Sequence, residues 1–274
     1  MIRTGPFRRA AALAALSALL LGCSRNPVSG KKELVVISTE QEIALGREAA
    51  PQFEQEFGGK VPDAELQSYV ARVGRKLANA SDRSMPYEFA LLASEVPNAF
   101  ALPGGQVYVT AGLMARMTNE RQLAAVLGHE VGHVAALHNV HNIQRQIGAA
   151  VLAEIVGAAG GEGGKQAAQI VGAMVNLRYS RTDEYQADQL GIKYMARAGY
   201  NPWGMVELLE LLLQLSHGGS ELMEMFQTHP LTEKRIQEAQ AEVRKKHPEA
   251  SASAPDGGAE DLLVEGRDAR AARG

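Results

Sequence analysis

The chain has 274 residues and a formal net charge of −3; 46% of its residues are hydrophobic and 5% are aromatic. This length allows one or two domains, and the apolar fraction is ordinary for a globular protein. Because the sequence has no basic stripe interleaved with aromatic residues, its composition excludes a nucleic-acid-binding protein.

The N-terminus has the pattern of a secretory leader. Three arginines, Arg3, Arg8 and Arg9, precede an apolar run over 10–21 that is too short to span a bilayer comfortably, which predicts a signal peptide over residues 1–22. The end of this run, Leu20-Leu21-Gly22-Cys23, resembles the lipobox of bacterial lipoproteins, which are cleaved before the cysteine and carry lipid on it.

Cys23 is the single cysteine of the chain, so it cannot form an internal disulfide, and lipidation accounts for its presence. In lipoproteins a non-acidic residue after the cysteine, here Ser24, accompanies sorting to the outer membrane. The resemblance therefore implies a lipid-anchored protein of a bacterial cell envelope, on the outer membrane and facing the periplasm. A soluble secreted protein with an incidental cysteine remains the alternative.

The segment after Cys23 is expected to begin with a tether. Residues 23–38 contain turn signals and are predicted to form a lipidated tether and docking strand. The sequence Thr39-Glu40-Gln41-Glu42 has the pattern of a capping box, which predicts a helix to about Ala50, with a loop over 53–60. Apolar residues at helical spacing then predict a second helix from about Asp63 to Asn79.

The hydrophobic period then changes to that of strands. Three strands are predicted, over 87–92, 98–102 and 106–110, and the last two are joined by a hairpin-type turn at Pro103-Gly104-Gly105. An exposed sheet edge can hold an extended peptide by main-chain hydrogen bonds. The candidate substrate edge strand is therefore Asn98, Ala99, Phe100, Ala101 and Leu102, although these residues could equally be plain core structure.

The most informative motif follows this sheet. His129-Glu130-Val131-Gly132-His133 reads H-E-x-x-H within an apolar, helix-favouring run that Thr118 or Asn119 can cap. Residues four apart on a helix lie about 40° from each other around its axis, so the two histidines share one face. Two such imidazoles can bind one Zn²⁺ while Glu130 activates water. The motif also arises by chance, so its context has to support it.

The rest of the chain is predicted to be helical with a polar tail. The Gly/Ala-rich segment 148–164 is interpreted as a long inter-helix loop, with a lid or a membrane-touching segment as alternatives. Helices are predicted over 181–198, 203–215 and about 232–246, and the Ser-, Pro- and Gly-rich residues 247–274 are predicted to be a disordered tail. The fold class is therefore α+β, mostly helical, with residues 39–246 as one domain and a small β-sheet packed beside the H-E-x-x-H helix.

A catalytic zinc needs a third protein ligand. The metzincin pattern fails because Asn139 stands where its third histidine belongs. On a continuous helix His138 points away from His129, and His141 lies roughly 12 Å up the axis from His133, so both are expected to be surface or second-layer residues. A cysteine ligand is excluded because Cys23 lies in the lipobox.

A carboxylate from a later helix is the remaining choice. Glu184 and Asp188 are four residues apart and share a helix face, so Glu184 could bind zinc while Asp188 accepts a hydrogen bond from a ligand histidine. Asp183 is a rival without such a partner. A solvated helix face that pairs with Arg181 is the plain alternative.

Taken together, the motifs make the chain similar to the M48 family of zinc metallopeptidases, in its single-domain bacterial lipoprotein branch, which is Oma1-like. The residues that carry this resemblance are Asn26-Pro27-Val28-Ser29-Gly30, residues 98–105, the H-E-x-x-H motif, Ser180-Arg181 with Glu184 and Asp188, and Thr228-His229-Pro230. The resemblance implies a gluzincin-type fold with one Zn²⁺ per chain. It makes Glu184 the third ligand, Asp188 its neighbour, and His229 a gate or fourth ligand.

The expected activity is that of a zinc-dependent endopeptidase, with His129, His133 and Glu184 as ligands and Glu130 as the catalytic base. His229, Arg235 and Tyr179 are candidates for the oxyanion donor. An edge strand and an envelope anchor together predict extended, unfolded or misassembled envelope proteins as substrates, with envelope assembly factors as further partners. A chaperone-like binding protein with a gated or structural zinc, and a scaffold without metal, are the alternatives.

Overall fold

The computed structural model of the protein describes residues 23–26, 28, 30, 32–148, 151–152, 163–216 and 223–254. The predicted signal peptide, most of the Gly/Ala-rich segment and the tail beyond Ala254 lie outside the described residues. Within them, helices predominate and one three-stranded sheet accompanies them, which confirms the predicted mostly helical α+β class. No helix in the described part of the chain is long and apolar enough to cross a membrane.

The first elements differ in part from the prediction. Strands β1 (Cys23–Arg25) and β2 (Lys32–Leu34) pair antiparallel, and helix α1 (Thr39–Glu56) follows. Its capping box is formed by Ser38 and Gln41, one residue earlier than predicted, and the predicted end near Ala50 is wrong. The helix continues through Pro51 because its buried face continues with Phe53, which is fully buried. Helix α2 (Ala64–Ala80) agrees with the helix predicted from about Asp63 to Asn79, and Asp63 is its cap.

The sheet lies between two hydrophobic clusters. Its strands β3 (Glu88–Leu92), β4 (Ala99–Ala101) and β5 (Gln106–Thr110) are ordered β3-β5-β4; β3 is parallel and β4 antiparallel to the central β5. The predicted turn between β4 and β5 is confirmed, and Gly104 adopts a φ of 83° there, which glycine tolerates without strain. Alternate strand residues pack into opposite clusters, so the sheet is buried on both faces.

Seven helices follow a short one, α3 (Ala111–Met114), in the described residues. They are α4 (Glu120–Ala135), α5 (His138–Ile147), α6 (Gly163–Val175), α7 (Arg181–Arg197), α8 (Trp203–Ser216), α9 (Met223–Thr228) and α10 (Glu233–Lys246). The predicted helices at α4, α7, α8 and α10 are present, and the caps are Asn119, Ser180 and Thr232 for α4, α7 and α10. Helices α5, α6 and α9 were not predicted.

Close contact between α4 and α7 places the residues of the H-E-x-x-H motif against those of the later helix. The approach depends on small residues at the crossing: a Cβ on Gly132 would lie 2.9 Å from the carbonyl oxygen of Ala187, and one on Gly191 would lie 3.1 Å from the backbone nitrogen of His129. The two helices therefore pack backbone to backbone, which brings short side chains on both within reach of one another.

The C-terminal segment packs against the body of the protein further than expected. Residues 248–254 form turns, in which Ala250 O accepts a hydrogen bond from the Trp203 indole at 3.1 Å and Ala254 O accepts one from Arg121 at 2.8 Å. The segment predicted to be disordered from residue 247 is thus folded at its start.

Candidate metal centre

Four side chains from three parts of the chain converge in the interior. His129 and His133 come from α4, Glu184 from the first turn of α7, and His229 from the segment after α9; each offers a ligand atom within 4.8 Å of the others. Glu184 Oε1 lies 3.4 Å from His133 Nε2 and 3.1 Å from His229 Nδ1. The structure thus brings together the three predicted ligands and the predicted gate residue.

The arrangement of ring nitrogens fits a bound cation. His129 Nδ1 lies 2.9 Å from Asp188 Oδ1, and we assign its proton to that hydrogen bond. His129 Nε2 then presents a lone pair, and it faces His133 Nε2 at 3.0 Å beside the carboxylate of Glu184. Converging lone pairs and a carboxylate repel one another unless a cation lies between them, and imidazole and carboxylate are ligands that Zn²⁺ accepts.

Asp188 and Arg235 form a charged layer behind these ligands. The Arg235 guanidinium donates to both Asp188 oxygens at 2.8 Å and also reaches Glu184 Oε2 at 2.5 Å. Burial by itself would raise the pKa of the Glu184 carboxyl, but Arg235 and His229 outweigh it and hold that pKa well below its usual range. Arg235 was predicted as an oxyanion donor or gate; its guanidinium is instead bound to two carboxylates.

Glu130 lies next to His229. Its Oε1 is 3.7 Å from His229 Nε2, while its Oε2 is buried without a hydrogen-bond partner among the described residues. Burial raises the pKa of the Glu130 carboxyl above its usual value. Burial opposes protonation of His229, but the carboxylates of Glu184 and Glu130 raise its pKa. A carboxyl with a raised pKa is suited to accept and return a proton.

Tyr179 links the cluster to the sheet. Its ring stacks on His133 at a centroid distance of 3.8 Å, and its hydroxyl donates to Asn139 Oδ1 at 2.6 Å. The Asn139 amide donates in turn to Ala101 O at 2.6 Å. The hydroxyl proton of Tyr179, a predicted oxyanion donor, is therefore already engaged.

Strand β4 is an edge strand of the sheet, but residues 98–102 are all at most 5% exposed, so this edge is covered by other parts of the protein and is not open to solvent. Phe100 pairs with Tyr108, and the neighbouring ladder bonds are formed by Asn98 and Leu102, so the peptide groups of Ala99 and Ala101 point away from β5. Two of these groups are already bonded: Ala99 N donates to Asn98 Oδ1 at 2.9 Å, and Ala101 O accepts from Asn139. An incoming strand would have to displace the Asn139 amide.

His138 corrects one premise of the sequence analysis. Helix α4 does not continue past Ala135, because Leu137 adopts a left-handed φ of 61° and α5 starts at His138. His138 therefore turns back, and its Nδ1 lies 3.0 Å from His133 Nδ1. His141 lies further out and pairs with Glu33 at 3.0 Å. Glycine or asparagine usually occupies the left-handed position at such a helix end, whereas this chain has leucine there.

The centre is enclosed. His133 and Glu184 are fully buried, and His129, Glu130 and His229 are all at most 6% exposed. A cavity of about 20 Å³ adjoins Glu130 and His129 between α4, α8 and the segment around His229; that is room for about one water molecule and not for a peptide. A polypeptide could reach Glu130 only after this segment moves.

Comparisons with known proteins agree with this geometry. The model of peptidase family M48 matches residues 63–243. The chain is 29% identical over 276 residues to the beta-barrel assembly-enhancing protease of Yersinia pestis, covering 93% of this chain and 54% of that protein. It is 27% identical over 213 residues to the mitochondrial metalloendopeptidase OMA1 of Schizosaccharomyces pombe, covering 77% and 63%. It is 30% identical over 190 residues to the metalloprotease LoiP of Escherichia coli, covering 67% and 74%.

Two features of these matches bear on the site. The family model includes the H-E-x-x-H motif, Glu184 and His229. The chain spans about half the length of the beta-barrel assembly-enhancing proteases that it matches. The buried group of two histidines from one helix and a glutamate from a later helix is consistent with a gluzincin-type fold.

Proposed function

The chain belongs to peptidase family M48, and on that premise we propose that it is a zinc-dependent endopeptidase that hydrolyses peptide bonds of extended polypeptides. The observation that supports this proposal most strongly is the convergence of His129, His133 and Glu184 beside Glu130, in a buried site with a charged layer behind it. We propose residues 39–246 as the peptidase domain.

His129, His133 and Glu184 would hold one Zn²⁺ per chain. When bound, the zinc supplies a Lewis acid for the scissile carbonyl and for the attacking water. The Glu130 carboxylate takes the proton of that water and returns it to the leaving amine, a role that its burial and raised pKa favour. Asp188 keeps the His129 ring in one tautomer, with its Nε2 directed at the metal site.

His229 is proposed as a gate in the resting state. It lies beside Glu184 and within 3.4 Å of His129 Nε2, so it fills the side of the centre that a substrate carbonyl would need. The hydrogen-bond donors of Arg235 and Tyr179 are engaged by other groups. His229, which lies beside Glu130, is therefore the remaining candidate for the oxyanion donor. Displacement of His229 would open the site.

The substrate is proposed to add a strand to β4. Once the Asn139 amide and the Asn98 side chain are displaced, main-chain pairing with the peptide groups of Ala99 and Ala101 would select for an extended conformation more than for a side-chain code. Unfolded or misassembled proteins expose such segments, whereas folded proteins do not.

The proposed place of action is a bacterial cell envelope, with the protein anchored through a lipid on Cys23 after removal of residues 1–22. The lipobox pattern supports this anchor. Several relatives carry the name beta-barrel assembly-enhancing protease, which supports envelope proteins and their assembly factors as substrates and partners.

The test of the activity is a casein-hydrolysis assay of the wild type and of Glu130→Gln, each with its zinc content measured. Both proteins should bind one zinc, and only the wild type should cleave casein, because the amide cannot accept the proton. A chelator should abolish the wild-type activity. Retained cleavage by Glu130→Gln would contradict the mechanism.

A second candidate function is that of a chaperone-like binding protein whose zinc is structural or kept gated. The burial of all four cluster residues favours it. Casein hydrolysis by the wild type and by His229→Ala separates the candidates. If His229 is a gate, the variant should hydrolyse casein faster than the wild type; if His229 is an oxyanion donor, the variant should be slower. If neither protein shows chelator-sensitive hydrolysis, the result supports the binding function.

A further inference from the structure

A series of hydrogen bonds extends from the metal centre to the N-terminal segment of the chain. His133 Nδ1 lies 3.0 Å from His138 Nδ1, and His138 Nε2 lies 3.1 Å from Gln186 Oε1. The same Gln186 oxygen accepts a hydrogen bond from Asn26 Nδ2 at 2.9 Å, across 160 positions of sequence. His133, His138 and Asn26 are at most 3% exposed, and Gln186 is half-buried.

We assign the direction of each hydrogen bond from the groups around it. His133 Nε2 faces Glu184 and His129, so it presents its lone pair to the metal site and its proton lies on Nδ1. His138 Nδ1 must then accept, which leaves the proton of His138 on Nε2. That proton requires an acceptor, which Gln186 Oε1 provides while it also accepts from Asn26.

The backbone is arranged to hold both ends of this series. At one end, the left-handed Leu137 turns His138 back toward His133. At the other end, Asn26 Oδ1 accepts from Val28 N and Asn26 O accepts from Gly30 N, both at 2.9 Å. These two hydrogen bonds hold Asn26, and its side-chain amide nitrogen is directed at Gln186.

We propose that Asn26 is a positioning residue of the metal centre: Asn26 orients Gln186, Gln186 fixes the tautomer of His138, and His138 holds the His133 ring for metal binding. The inference rests on the proposed zinc site. Asn26 lies three positions after Cys23, so the segment that would carry the lipid anchor also helps to position a metal ligand. Asn26, Gln186 and His138 are thus positioning residues and not ligands.

The experiment measures zinc affinity of the full chain by competition with a chromophoric chelator, independently of proteolysis. His138→Ala should weaken zinc binding by about 10–100-fold, as is typical when a partner of a ligand histidine is lost. His138→Asn should recover much of this loss, because its amide oxygen can accept from His133 Nδ1 but cannot reach Gln186. Asn26→Ala should weaken binding by about 10-fold, at the lower end of that range.

Val28→Ala is the matched control, since it alters the same segment and its packing without touching the series. It should leave zinc affinity unchanged, and circular dichroism should show all variants folded. Unchanged zinc affinity in either His138→Ala or Asn26→Ala would overturn the inference while leaving the zinc site intact. A wild type that binds no zinc would instead overturn the proposed function.

Discussion

The two sides of the metal centre are built differently. On the His129 side, Asp188, Arg235 and Glu184 form a compact ionic cluster, in which one guanidinium serves two carboxylates. On the His133 side, His138, Gln186 and Asn26 form a series of neutral hydrogen bonds that reaches a distant part of the chain. The ionic side therefore supplies charge to the site, while the neutral side supplies only orientation, and the two should respond differently to substitution.

The largest expected difference concerns stability. Arg235→Ala leaves two buried carboxylates without their cation, so it should lower the free energy of unfolding by about 3–5 kcal/mol. Gln186→Ala removes neutral hydrogen bonds and should cost about 1 kcal/mol. Urea unfolding of both metal-free variants measures the difference between them. Equal losses of unfolding free energy would show that the ionic and neutral sides of the centre do not differ in this respect.

The close crossing of α4 and α7 joins the two sides, and Gly132 tests it. In Gly132→Ala the new methyl group would meet Ala187 O at 2.9 Å, so we expect a loss of about 1–3 kcal/mol in unfolding free energy together with weaker zinc binding. Gly128→Ala is the control, because its nearest neighbour lies at 3.4 Å, an ordinary contact. If both alanines were tolerated equally, the crossing would not determine the ligand geometry.

Asp188→Asn tests the ionic side of the metal centre alone. The amide can still accept from His129 but loses the charge that pairs with Arg235, and zinc affinity should fall by about 10–100-fold. Asp82→Asn, on a surface cluster with Lys193 and Arg197, should leave zinc affinity unchanged. Competition titration with a chelator measures the zinc affinity of both variants. Unaltered zinc binding by Asp188→Asn would show that Asp188 does not support the metal centre.

The smallest effect is expected at the far end of α4. Asn119 caps this helix by accepting from Gln122 N at 3.0 Å, so Asn119→Ala should cost about 1 kcal/mol of unfolding free energy. Since Asn119 touches neither side of the centre, zinc affinity should not change. A marked loss of zinc binding here would show that general destabilisation, and not positioning, explains the other variants.

The same contrast explains what could be predicted from sequence. The mostly helical class, the small sheet and the helices that carry Glu130 and Glu184 follow from hydrophobic period and caps, and the spacing of Glu184 and Asp188 indicates a shared face. The interactions of His138 did not follow, because Leu137 gives no signal that the helix breaks there. No local sequence pattern indicates the contact between Asn26 and Gln186, since this contact depends on how distant segments of the chain pack.

Arg235 shows a related limit. Its position on α10 is predicted by helix periodicity, but its two carboxylate partners lie on α7, so the sequence suggests only a cation near the site. The helix end at Glu56 was missed for a different reason: Pro51 and the polar residues after it resemble a loop, whereas the burial of Phe53 outweighs them.

The most direct test of the central claim is the zinc content of wild type and Glu184→Gln after purification in zinc-containing buffer and extensive dialysis, with Glu130→Gln as the control. The account predicts one zinc per chain in the wild type and in Glu130→Gln, and loss of the zinc from Glu184→Gln, because its amide is a poor ligand between two histidines. A wild type without zinc, or a Glu184→Gln protein that retains it as tightly as the wild type, would contradict the account.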